Sequence, residues 1–527
     1  MIKVQNRFTF NICCLLIALA SLLLTSSCNK QLDIDSPRQQ NEENQWTRYE
    51  DARSGLIGFY GLFRAAVADN NAHWLWGELR NGDFRSVVRP DLKAVIDGKL
   101  NASYPVIQSI TSWRRFYAVI NACNLFIERV EGCLKDKRYT EAYYKLDIAQ
   151  AKAIRSFAYF YMVRIWGDVP LITQSHDGNF DAVARTKADD VLAFAEQELI
   201  AAAPKLPFLY SGNDPEQIFP ANYYGAGTDE WLNTPINRLA AYAMLAHISA
   251  WRGRYVDVAI YTEFIVNNFA KSNLSMLTTE DLTGPSGGSG GSVFDSQNEN
   301  YNQLIGFNFI QNRGETTTSG HIEQLTLANT TRYPMSKQLP DIYVTKNTIA
   351  EMFPSNNGND QRFGLDNRFT PALLLDAYFE NYNAEIPVFK KIRVIDGGAG
   401  ATGSFAVFNS AIVFTRLEEI RLLRAEALAV LGQDGAAAEE LNKVKSNRDV
   451  NPFLTSSSKD LLTEIFEERR RELIGEGWRW YDLVRYNRLK RNDPAFNELL
   501  DKGGIYWPIA QEVLNRNSKL VQNSYWQ

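Results

Sequence analysis

Glu467-Glu-Arg-Arg-Arg-Glu-Leu-Ile-Gly-Glu-Gly-Trp-Arg-Trp-Tyr-Asp-Leu-Val-Arg485 is the stretch on which the reading of this 527-residue chain turns. Glu467 and Arg471 stand at i, i+4 and Glu468 and Arg471 at i, i+3, where opposite charges meet along a helix. Gly475 and Gly477 interrupt that helix, and Trp478, Trp480, Tyr481, Leu483 and Val484 then begin a second amphipathic one. Arginines beside aromatics would suit nucleic acid, but each Arg here has an acidic neighbour. The segment therefore reads as two helices that dock on each other.

Helical periodicity continues upstream. Ile420, Leu423, Ala427 and Leu431 are followed at once by Gly432 and a new helical run, Ala436 to Val444. Leu239, Tyr242, Ala243, Ala246 and Ala250 are followed by Gly253 and then Ala259, Thr262, Val266 and Phe269. In both, a Gly closes the first helix, where a left-handed cap lets the chain turn back. Small alanines follow at the point where two helices would cross closely. Such pairs are tetratricopeptide-like, although they do not recur at a fixed 34-residue period. Further upstream, Ile154, Phe157, Ala158, Tyr161, Met162 and Ile165 share one helical face, which must be buried.

Between about residues 274 and 415 the helical pattern fails, and Gly, Asn, Ser, Thr and Pro alternate with short aromatic pieces. This reads as an insert of loops, short strands and turns, the kind of segment in which a rigid scaffold carries its binding residues. Two glycine motifs fall in it. Gly398-Ala-Gly-Ala-Thr-Gly403 matches a dinucleotide fingerprint, but no helix starts there and no βαβ unit surrounds it, so it reads as a hairpin-like loop. Gly287-Gly-Ser-Gly-Gly291 matches a nucleophile elbow without the strand and helix an elbow needs.

The N-terminus carries Lys3 and Arg7, an apolar run from Phe8 to Leu24, and small residues ending at Cys28, which is the form of a signal peptide. The run is too short for a spanning helix of roughly 20 apolar residues. Leu24-Thr-Ser-Ser-Cys28 resembles a bacterial lipobox, so cleavage before Cys28 and lipidation of that cysteine are expected, taking the formal charge from −5 to −7. Cys123 and Cys133 then remain as the thiols of the body. They read as buried and free, because ten residues of helix rise about 15 Å, too far for a disulfide unless the helix ends between them.

Composition bounds the rest. With 45% apolar residues the chain can bury a large core, and with 56 Lys and Arg against 61 Asp and Glu it offers no basic field for nucleic acid. The four histidines are isolated, so no zinc or haem ligand set is visible and no metal site is expected. A carboxylate pair for glycoside hydrolysis would not show in sequence, which keeps a polymer-degrading enzyme as an alternative. A tetratricopeptide scaffold for protein partners is another.

Taken together, these stretches resemble the SusD/RagB family of nutrient-uptake lipoproteins. Glu467–Arg485 is similar to its C-terminal signature, and Ala153–Leu171, with its Gly-Asp-Val-Pro exit, to its N-terminal helix. Glu418–Ala427 with Leu441–Val444 is similar to its last repeat pair, and Gly504-Ile-Tyr-Trp-Pro-Ile-Ala-Gln511 to its terminal segment. The start Cys28-Asn-Lys-Gln-Leu-Asp-Ile-Asp-Ser-Pro37 also fits. The resemblance implies a mostly α fold with tetratricopeptide-like helical pairs and an irregular, loop-rich C-terminal portion with short strands. It implies a signal peptide over 1–27, an N-terminal helical region over 28–235 and a C-terminal region over 236–527.

It further implies a lipid-anchored protein on the outer face of an outer membrane. Such a protein captures oligosaccharide, or in some branches peptide or another nutrient, and passes it to a SusC-type TonB-dependent transporter without catalysis or cofactor. Sugar capture calls for aromatic faces with polar edges. The candidate residues are Trp74, Trp76, Asn81, Asp83 and Arg85, expected in a loop after the first helix, then Tyr223 and Tyr224 in the loop ending at Pro235, and Tyr301 beside Asn298 and Asn302.

Overall fold

Apolar periodicity becomes a stack of helical pairs: α1 (Tyr49–Ala68) with α2 (Arg114–Arg129), α3 (Glu141–Trp166) with α4 (Ala188–Ala202), α5 (Arg238–Trp251) with α6 (Tyr255–Asn268), and α7 (Leu417–Val430) with α8 (Asp434–Ser446). Each helix packs on the next, so the four pairs form one array although about 150 residues separate α6 from α7. The mostly helical fold expected from the sequence is the one found. The computed structural model describes residues 45–527 except 177–180, 220, 228–230, 232–233, 285–291, 297–301, 311–312, 316, 330–334, 356–358 and 397–406. The signal segment with Cys28, and both glycine motifs, lie outside the described residues.

The two glycine turns read from the sequence have one geometry. Gly253 and Gly432 take φ of +75° and +74°, and the residue after each donates back to the fifth residue before it: Arg254 N to Ser249 O at 2.9 Å, Gln433 N to Leu428 O at 2.8 Å. These are the bonds of a Schellman cap. The first two pairs have long connections instead of this turn, which is why the sequence showed two hairpins and not four. In α3 the expected apolar face is buried, but so is every other residue from Ala153 to Trp166, Arg155 and Arg164 included. The helix runs through the core with neighbours all round. Cys123 and Cys133 are both buried and free.

The strands among the described residues are short and pair in antiparallel twos. Phe84–Arg85 (β1) pairs with Tyr343–Val344 (β3), and Ile305–Phe307 (β2) with Ile412–Thr415 (β6), which carries the chain back into α7. Ile395–Asp396 (β4) and Val407–Phe408 (β5) pair antiparallel. No helix among the described residues is long and apolar enough to cross a membrane.

The signature stretch forms α9 (Leu461–Leu473) and α10 (Arg479–Lys490), which pack on each other. Its charges are buried, and most of their partners come from elsewhere in the chain. Glu472, with no exposed side-chain area, accepts from Arg448 (2.8 and 3.0 Å), Arg416 (2.9 Å) and Arg362 (3.1 Å). Arg362 also binds Asp360 and Glu468, and Arg416 and Lys391 both bind Glu476. Arg469 joins Glu419 to Asp482. Of the two pairs read along the helix, Glu468–Arg471 forms at 3.0 Å, whereas Glu467 meets Arg470 instead.

Burial sets an acid response. It pushes His73 and His321 down to about 4 and lowers His247, so that as the pH falls from 7 these sites take up protons only in the unfolded chain, which costs stability. Burial also pushes Glu78, Asp147 and Glu323 up to about 7, and these take up protons first in the folded chain, which offsets the histidines. In the network burial alone would raise the carboxyls. Arg362 and Arg471 nevertheless hold Glu468 down to about 2, and the surrounding cations hold Glu472 and Glu476 low. The unfolded chain alone protonates those groups below about 4.5. Thermal unfolding across pH is therefore expected to give a nearly flat Tm from pH 7 to about 4.5 and a steep fall below. A steady decline from pH 7 would contradict this balance.

Candidate functional site

The first candidate cluster lies inside the protein. Trp74 ends a short helix and Trp76 sits in the π-helical turn Leu75–Leu79, where a loop was expected. They are 0% and 2% exposed. Trp76 donates its indole N–H to Ile110 O and packs against Phe116 and Trp166. Asp83 is buried and paired with Arg470 (2.6 Å) and Arg479 (3.1 Å), tying the segment to α9 and α10. Asn81 is exposed at φ +48°, and exposed Arg85 turns back onto the carbonyls of Gly82 and Phe84. The cluster thus joins the first helical pair to the C-terminal signature and offers no aromatic face to a ligand.

Tyr223 and Tyr224 are also buried, because their hydroxyls seek a carboxylate in the core. With Tyr139 they donate to Asp147, a fully buried acid on α3. Tyr301 lies outside the described residues.

The loop that carries Tyr223 and Tyr224 does reach a cleft, through a residue the sequence reading passed over. Trp231 is half-buried, and its indole N–H donates to Tyr223 O at 3.0 Å, which fixes the ring along one wall. The cleft is also lined by Arg53, Ile57 and Arg64 of α1 and by Asn308, Arg313 and Glu315 of the segment after β2. The cleft has a volume of about 210 Å³. Arg64 donates to Glu315 (2.8 Å) and to Asn308 O (2.7 Å) and lies over the Phe309 ring at 5.3 Å. This pins the segment to α1 and leaves a guanidinium and a carboxylate at the cleft's edge. An indole face bordered by fixed polar groups can hold a flat, hydroxylated ligand. Among the described residues no cluster of His, Cys, Asp and Glu is arranged to hold a metal ion.

Comparison with known proteins agrees with the layout. A family model described as the SusD family matches residues 215–526, more than half of the chain, from the loop before Trp231 to the C-terminus. The chain belongs to the SusD family. A second model, described as starch-binding associating with outer membrane, matches residues 99–249 of this SusD-family chain. A SusD superfamily protein of Bacteroides thetaiotaomicron has a crystal structure that is 42% identical, covers 92% of this chain and all of its own, and superposes with a TM-score of 0.81. A SusD homologue of the same organism, 22% identical with a TM-score of 0.72 over 91% of this chain and 99% of its own, shares the fold. The SusD-like protein P38 of Formosa agariphila is 24% identical over 97% of this chain and 98% of its own length.

Proposed function

We propose that this SusD-family protein is a surface lipoprotein that binds oligosaccharide in the cleft beside α1 and delivers it, uncleaved, to a SusC-type TonB-dependent transporter. The observation that carries the reading is Trp231, an indole held at the cleft wall by its own N–H and bordered by the Arg64–Glu315 pair. Sugar recognition needs this combination of an apolar face and fixed hydrogen-bonding groups. The family model that matches residues 99–249 is described as starch-binding and as associating with the outer membrane, which supports both the ligand class and the location. Cys28 supplies the lipid anchor in this reading, and the same cleft would serve a branch of the family that takes peptides or another nutrient.

Trp231→Ala is expected to weaken oligosaccharide binding at least about 10-fold, or roughly 1.4 kcal/mol, with little change in Tm, because the ring is only half-buried. Isothermal titration calorimetry paired with thermal unfolding checks it. Unchanged affinity would remove the cleft from the account, and an equal loss of stability would make Trp231 a core residue. Metabolic labelling with a fatty acid in wild type and Cys28→Ala tests the anchor, and label retained by the variant would reject it.

A further inference from the structure

A second, larger groove of about 1000 Å³ opens between residues 100–118 and 508–526. Amides and a hydroxyl from Asn101, Gln108, Ser112, Gln511 and Gln522 line it, beside the indole of Trp526. Trp526 donates its ring N–H to Tyr506 O at 2.9 Å, and Gln522 is fixed on both backbone groups of Ile509 at 2.8 Å. The charges in its wall are matched: Arg114 stands 3.9 Å from Glu512, and Arg115 pairs with Asp69. The groove therefore presents amides, an aromatic ring and oppositely charged pairs that balance one another, which suits an uncharged, hydroxyl-rich ligand.

The cleft and the groove are both tied to α1 and the turn that follows it. Arg64 faces the cleft, and five residues on, at the turn Asp69–Asn71, the chain meets the groove. Asn70 donates its side-chain amide to Ser109 in the groove wall (2.9 Å) and its backbone N–H to Ser319 (3.2 Å), in the segment that continues from the cleft's lining. Asn71 accepts from Gly320 N at 2.7 Å. Both asparagines hold left-handed backbone, at φ +54° and +56°, and Asn70 is exposed, so its bonds to Ser109 and Ser319 link the groove wall to the segment that lines the cleft. At about 210 Å³ the cleft is smaller than the roughly 300–1,000 Å³ of pockets that enclose a whole small ligand, so a longer chain must leave it.

We propose that cleft and groove form one track for an uncharged oligosaccharide, which passes Asn70 and lays its distal units against Gln108, Gln511 and Trp526. The proposal rests on the reading of the cleft as a sugar site. It is tested by calorimetric titration with trimers and heptamers of maltose-, cellulose- and xylan-derived oligosaccharides. In the series that binds, the heptamer is expected to bind at least 10-fold tighter than the trimer. Gln108→Ala/Gln511→Ala, at two exposed positions, is expected to erase that advantage. A heptamer no tighter than its trimer, or an advantage that survives the double substitution, would overturn the track while leaving the cleft's role intact. If no member of any series binds, both readings fall.

Discussion

Glu472→Ala is expected to destabilise the protein by on the order of 3–5 kcal/mol, the range for removing one member of a buried ion network. Glu472 is fully buried and accepts hydrogen bonds from three guanidiniums, Arg362, Arg416 and Arg448, none of which has exposed side-chain area. Truncating it leaves Arg448 without its close carboxylate, since Glu418 stands 3.8 Å away. It also leaves three like charges facing one another in a space that water does not reach. Glu472→Gln keeps the volume and one acceptor but removes the charge, and is expected to fall between wild type and Glu472→Ala. Thermal unfolding of the three proteins checks the order, and a Glu472→Ala Tm equal to that of wild type would contradict the account.

Gly477→Ala is expected to cost roughly 2–5 kcal/mol, the sum of a left-handed non-glycine residue and an overpacked contact. Gly477 takes φ +80°, and a Cβ there would lie 2.4 Å from His73 Nε2. His73 cannot yield cheaply, because Tyr161 OH and Glu476 O hold its two ring nitrogens at 3.1 Å each. The Gly477 N–H is also fixed, donating to the buried Glu78 carboxylate at 2.9 Å. Gly432→Ala is the control: φ is +74° there, but nothing lies within 4 Å of the added carbon, so only the backbone term remains. Equal Tm losses for the two variants would mean that the packing against His73 carries no weight.

These two sites show where sequence reading succeeded and where it stopped. Periodicity is a local property, so the face of α3 and the Gly253 and Gly432 turns were legible. The charges of Glu467–Glu472 were legible as charges, but their partners, Arg362, Arg416, Arg448 and Asp83, lie from 24 to 387 residues away in sequence, beyond any helical spacing rule. Trp74 and Trp76 stand in a stretch with His73, Glu78, Arg80 and Asp83, a mixture that a surface loop would also show. His73, Glu78, Arg80 and Asp83 are themselves buried, because Glu78 and Asp83 find partners in the Gly475–Arg479 turn and α9.

Tyr223 and Tyr224 were drawn inward by Asp147, whose carboxylate stands on a helix that is apolar for most of its length. An acid in such a position was the available signal that hydroxyls elsewhere would turn toward it. Trp231 was the aromatic left over in the same loop, between Gly225 and Pro235, once that demand was met.

Capture of oligosaccharide without cleavage requires both binding and an intact ligand. The purified wild-type protein is titrated calorimetrically with a panel of neutral oligosaccharides, and each ligand is recovered afterwards and sized by mass spectrometry. The account requires saturable binding to at least one series, with every recovered ligand at its original length. Shortened products, or no heat of binding across the panel, would contradict it.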